Sequence, residues 1–372
     1  MKILFTIVCL FSTINLSAQK ISNNEVALDL ARNSMEKMYN LQTTESIILA
    51  DKLESMCPGH PASTFLKALN IYWSSMPINS GNPEFTNFHD YLKETLIRSE
   101  QLLDKDKNNE EGIFFALASH GYLSQYYAEE KSNLKALKEI KSAYSYMKAG
   151  FNLVDQNPEF YYTTGLYNYY REQYPESHPG YKSFVWIFGS GDKAKGLQQL
   201  EKASKTALFT KTEAINYAAH IYLRYEDSPL IAEKYATKLV KLYPGNYLYR
   251  AILSETLLNL GKYWEVIPHI NQLTSASQPF FNMIGNVYNG IRLEKQEKKF
   301  TEAKDLYLKV IESAGNIPLK TEHYVSMAYC GLARISLMEG NTDKAKDFYK
   351  KSLNLSHYPS VQKEASEGLK KL

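Results

Sequence analysis

The sequence predicts an all-α protein, an α-α superhelix of about eight helical hairpins closed by a C-terminal capping helix. Three observations predict it. A mostly small residue recurs at Gly196, Ala232, Val266, Ala303 and Ala345, at spacings of 36, 34, 37 and 42 residues. Around each the same frame returns, with a core residue four places on (Leu200, Ala236, Ile270, Tyr307, Tyr349) and another three further (Ala203, Leu239, Leu273, Val310, Ser352). Offsets of four and seven share one helical face, so each set is the buried stripe of an amphipathic helix. A repeat of that length means stacked hairpins, each burying its apolar face on its neighbours. No alternating β pattern of useful length competes with this reading.

Taken from the N-terminus, residues 1–18 read as a secretory signal. Lys2 supplies the positive end, residues 3–14 are mostly apolar, and Ser17-Ala18 offers a small-residue exit before Gln19. The run is short for a bilayer span. Cys9 lies inside it, not at its end where lipid attachment requires a cysteine. The expectation is a cleaved leader and a soluble, periplasmic or secreted chain. The Ser-Ala-Gln ending resembles export signals of Bacteroidota. Residues 19–372 then form a single helical-repeat domain, with long-period repeats over 22–190, short-period repeats over 191–358 and a cap over 359–372.

The long-period half repeats the second-helix frame at Ser46, Ala50 and Leu53, at Thr95, Ser99 and Leu102, and at Ala143, Met147 and Gly150. Pro58-Gly59-His60-Pro61, the polar run 104–109 and Asn157-Pro158 close these units. One connection is unusually long. A helix beginning at Phe160 is expected to end near Arg171, and the next begins at Asp192, leaving about twenty residues between them. That stretch carries Tyr174, Tyr181, Phe184, Trp186 and Phe188, too apolar for a solvated linker, so it is expected to pack down as a short helix.

The frame resembles the tetratricopeptide repeat. The final unit fits best, with Tyr329-x-x-Leu332-Ala333, Gly340-Asn341 at the turn, then Ala345, Tyr349 and Ser352. The unit before Pro244 keeps Ala232 and Leu239 but has His220 where the family places a small residue, and Val266 takes an alanine position. A narrower resemblance runs through Gly165-x-Tyr167, Tyr174-Pro175, Phe188-Gly189-x-Gly191-Asp192 and Gly196-Leu197-x-x-Leu200. It is similar to a signature of one tetratricopeptide subfamily, whose eukaryotic members are associated with mitochondrial outer membranes and lipid-linked inclusion clearance. Both resemblances imply a scaffold that is not an enzyme and needs no cofactor.

The residues agree with that implication. Gly189-Ser190-Gly191-Asp192-Lys193 lacks the spacing of a phosphate loop; its glycines suit a turn, Asp192 a helix cap and Gly196 close helix packing. The eight histidines never pair at i, i+4 around a glutamate, so no metal site of that kind is expected. No G-x-S-x-G elbow occurs. Without Lys2, 42 basic residues face 40 acidic ones, interspersed, which gives no nucleic-acid footprint. No further stretch reaches transmembrane length. Cys57 and Cys330 lie far apart along a solenoid and are expected to stay thiols, buried as small hydrophobes.

The remaining signal is aromatic. Twenty-nine tyrosines are present, and the helix from Phe160 carries them on more than one face. Tyrosines left on a concave surface suit recognition of a protein or peptide partner, and rings of this kind also stack on sugars. The candidate binding residues are Tyr167, Tyr170, Arg171, Tyr174 and Trp186. A protein or peptide partner is the leading expectation, and a glycan- or lipid-binding module using residues 160–190 is the alternative.

Overall fold

The computed structural model describes residues 20–75, 78–177, 189–317 and 320–372, and among them every regular element is helical. The helices pack in sequential pairs. The first three hairpins join α1 (Glu25–Tyr39) to α2 (Thr43–Met56), α3 (Pro61–Ser74) to α4 (Phe85–Lys105), and α5 (Glu110–Glu129) to α6 (Asn133–Phe151). The next two join α7 (Phe160–Ser177) to α8 (Lys193–Thr206) and α9 (Lys211–Arg224) to α10 (Pro229–Leu242). Then α11 (Tyr247–Asn259) pairs with α12 (Ile267–Thr274), and α13 (Pro279–Arg292) with α14 (Phe300–Ala314). The last pair is α15 (Glu322–Met338) with α16 (Thr342–Leu355), and α17 (Pro359–Lys370) caps the stack. Among the described residues this is an all-α, tetratricopeptide-type superhelix of eight hairpins and a cap.

Local chemistry sets the helix ends. Asn24, Asn109, Asp192, Asn246 and Asn341 each accept a backbone N–H from the first turn of the helix they precede. Prolines open α3, α10, α12, α13 and α17, where a missing N–H has no helical partner to lose. The turn inside a hairpin repeatedly uses one left-handed residue. Gly261 and Gly340 fill that place in two hairpins, but Leu41, Lys131, Asp227 and Lys298 fill it in four others. A side chain there is strained by roughly 1–2 kcal/mol, so these turns are held by the packing around them.

The frame positions of the short-period half are all buried. Gly196 shows why the frame demands small residues: a Cβ there would meet the Gly165 carbonyl and the Tyr169 amide, each at 2.7 Å. Helices α7 and α8 therefore cross backbone to backbone. Similarly, a Cβ on Gly331 would lie 2.2 Å from the Tyr307 ring. Cys57 and Cys330 are buried free thiols, and burial pushes the Cys330 thiol up to about 12.

Two elements differ from the sequence expectation. Helix α7 does not stop near Arg171 but continues to Ser177, with Pro175 inside its last turn. A proline there removes only one terminal hydrogen bond, so the helix tolerates it, and Tyr174 belongs to the helix rather than to the connection. Helix α12 is short because it starts just before Pro268, which leaves the buried Val266 as its N-cap. The expected short helix of the aromatic stretch falls on residues 178–188, outside the described residues.

The superhelix is tight enough for distant turns to touch. Asn246 donates to the Tyr39 carbonyl at 3.0 Å, and the Tyr39 ring packs 5.2 Å from that of Tyr243. At the other end Lys363 pairs with Asp227 at 2.6 Å, and the Tyr358 ring lies 5.3 Å from those of His220 and Tyr225. These closures turn the concave face from an open groove into a bounded hollow.

Candidate functional site

The hollow is a cavity of about 810 Å³ whose walls are the first helices of successive hairpins. Each helix contributes a stripe at helical spacing, because residues four apart share a face. From α7 come Tyr162, Leu166, Tyr170 and Tyr174; from α9, Glu213, Asn216, Tyr217, His220 and Arg224. Opposite stand Phe65, Leu69, Tyr72 and Trp73 of α3 and Phe114, Ala118 and Tyr122 of α5. Gly121, Gln125 and Tyr174 are exposed and form a rim.

The rings support one another mainly edge to face. Tyr72 and Tyr122 meet at 5.2 Å and 67°, and Tyr162 and Tyr217 at 5.8 Å and 65°. Burial pushes the hydroxyls up, that of Tyr72 to about 12, so these tyrosines stay un-ionised at any physiological pH.

Two carboxylates serve this region differently. Glu255, on α11 behind the wall, is fully engaged. Arg224 reaches it with two hydrogen bonds of 3.1 and 2.6 Å, His323 Nε2 with one of 3.0 Å, and the Tyr288 hydroxyl with another of 3.0 Å. Burial alone would raise its pKa, but Arg224 and His323 outweigh that and hold it far below the usual carboxylate range. Burial, followed by Arg224, keeps His323 and His220 below their ordinary values, hence neutral.

Glu213 has no such partners. The Tyr39 hydroxyl donates to it at 3.2 Å, and the Asn216 amide is its other donor. Burial outweighs both and lifts the carboxyl to about 7. Part of its surface remains accessible, but that surface faces the cavity. The Asn216 Oδ1 is buried with no donor among the described residues.

A second cavity of about 590 Å³ lies beneath α17. Several of its charged groups are paired: Arg334 holds Glu294 at 2.6 and 2.7 Å and also binds Glu364, and Lys363 holds Asp227. Among the described residues no group of three or more His, Cys, Asp or Glu side chains could hold a metal, and no helix is long and apolar enough to cross a membrane.

The sequence-derived site residues separate. Tyr170 and Tyr174 line the cavity. Tyr167 points the other way, packing 5.4 Å from Phe151 and donating to the Gly189 carbonyl at 2.8 Å. Arg171 sits near Gly191, where a glycine Cβ would meet its side chain at 2.8 Å, and pairs with Glu172 at 3.7 Å. Trp186 lies outside the described residues. Sequence reasoning missed Glu213 and Asn216. Their signal was a polar stripe on α9, running Glu213, Asn216, Tyr217, His220 and Arg224, on the face that a repeat of this type turns inward.

No family model and no curated protein matches the chain. Solved structures do resemble it. A tetratricopeptide repeat protein from Parabacteroides merdae is 16% identical with a TM-score of 0.41, over 77% of this chain and 95% of that one. Yeast Tom70 is 12% identical with a TM-score of 0.37, over 94% and 90% of the two chains. A human IFIT1 dimer with PPP-AAAA is 12% identical with a TM-score of 0.39, over 89% and 95%. At these identities and scores none of them bears on what this chain binds. Fold and site together define a helical-repeat scaffold with an aromatic concave cavity.

Proposed function

We propose that this chain is an exported, non-enzymatic scaffold that takes a segment of a protein or peptide partner into its concave cavity. The observation that carries the reading is the cavity itself. Its volume of about 810 Å³ falls in the range of ligand sites, roughly 300–1,000 Å³, and suits one or two side chains rather than a long strand. Its walls mix ring surface with hydroxyls, the chemistry of peptide-binding faces. A glycan is the poorer fit, because these rings line a bounded hollow rather than an open platform for a sugar. The non-enzymatic reading is supported by the commitment of Arg224, Glu255 and His323 to one another. Export rests on residues 1–18.

The test is a parallel array of random dodecapeptides, glycans and phospholipids, probed with the wild-type chain and with Ala118→Trp, which puts a bulky indole into the cavity. Peptide binding lost on filling is the expected result. Binding only to glycans or lipids, or peptide binding indifferent to the filling, would overturn the proposal.

A further inference from the structure

Resting on that concave-cavity reading, we propose that the cavity recognises a primary ammonium on an alkyl chain, as in a lysine side chain, with Glu213 as its counter-ion and the surrounding tyrosines as its cage. The residues that face Glu213 from the helices around it are tyrosines. Tyr39 of α1, Tyr72 of α3, Tyr122 of α5, Tyr162 of α7, Tyr217 of α9 and Tyr249 of α11 all feel its charge, and none carries a positive one. The cation on the same wall, Arg224, is taken by Glu255.

An unpaired carboxylate enclosed by rings is costly unless it is neutralised or meets a cation. The rings add to the attraction, since the faces of aromatic side chains favour positive charge. The acceptors at the site suit an ammonium. Glu213 and Asn216 Oδ1 are neighbouring acceptors, the latter without a donor. An ammonium brings three donors that fan outward, so it can meet the accessible part of Glu213 and still offer donors to the tyrosine hydroxyls around it.

Binding then requires the ionised carboxyl. Since Glu213 titrates near 7 in the empty cavity, affinity falls as pH drops through that value and is more than about tenfold weaker at pH 5.5 than at pH 8.

The test is calorimetric titration of the intact chain with two matched pairs. Acetyl-Ala-Lys-Ala-amide is compared with its norleucine counterpart, and hexylamine with hexanol. The expected result is at least about tenfold tighter binding of the charged member of each pair at pH 8. That preference should vanish in Glu213→Gln and at pH 5.5. Preference for hexylamine alone supports the ammonium and identifies a free amine as its source. Equal binding of charged and neutral probes overturns the inference yet leaves the cavity reading intact, as does silence from all four probes while Ala118→Trp still abolishes peptide capture. If Glu213→Gln does not fold, the wild-type pairs and their pH dependence decide.

Discussion

Glu255 and Glu213 sit on neighbouring first helices of the same superhelix, both deep among protein atoms, and they titrate in opposite directions. Glu255 receives an arginine, a histidine and a tyrosine and is held low. Glu213 receives a tyrosine and an amide and rises to about 7. Burial is common to both, so burial does not separate a structural carboxylate from one kept for a ligand. The number of donors within reach does. A saturated carboxylate ties the repeats together, and an unsaturated one beside a hollow is free to bind.

The largest way to break this comparison is to remove the saturated member. Glu255→Ala strands Arg224 in the interior, and loss of one partner of a buried pair costs about 3–5 kcal/mol. Denaturant melts should show that loss together with weakened contact between α9 and α15, where Tyr324 accepts a bond from Arg224.

Removing the unsaturated member should do the reverse. A carboxyl whose folded pKa is raised makes the folded state bind more protons between its unfolded and folded values. Its contribution to stability is therefore greatest below about 4.5 and is lost as pH rises to about 7. The difference amounts to about 3 kcal/mol. Glu213→Gln should stabilise the chain by up to about that much at pH 8 and by nothing near pH 4. Glu255 has the opposite sign: its stabilising effect is present above its unfolded value and is lost as pH falls through the acid range.

The same contrast between filled and open places can be sharpened with glycines. Gly196 has no room for a Cβ, and its neighbours there are backbone atoms. Gly196→Ala should cost roughly 1–3 kcal/mol by forcing α7 and α8 apart. Gly121, on the cavity rim, has nothing within 4 Å of an added Cβ. Gly121→Ala should stabilise α5 by about 1 kcal/mol. Thermal melts of the pair should move in opposite directions.

Much of the fold was legible because repeat packing is local. Ala232, Ala303 and Ala345 announce buried contacts through spacing alone, and Asn341 and Asp192 announce helix starts through their side chains. The left-handed turns were half legible: Gly261 and Gly340 signal them, but Leu41 and Lys131 do not, since their geometry is imposed by packing. The cavity was not legible. It depends on contacts such as Asn246 with Tyr39 and Tyr358 with His220, which arise from the accumulated twist of many hairpins and leave no periodic trace. Tyr170 and Tyr174, which line the cavity, stood out in the sequence because tyrosines cluster there. Glu213 looked like any first-turn acid until Tyr39 and Asn216 were placed around it.

The most direct measurement is the titration of Glu213 itself, by carbon NMR of the glutamate-labelled chain with Glu213→Gln to assign the signal. The account predicts a midpoint near 7 in the empty protein, shifting down by about a unit or more when hexylamine is added in excess. A midpoint near the ordinary 4.5, unmoved by the amine, would contradict it.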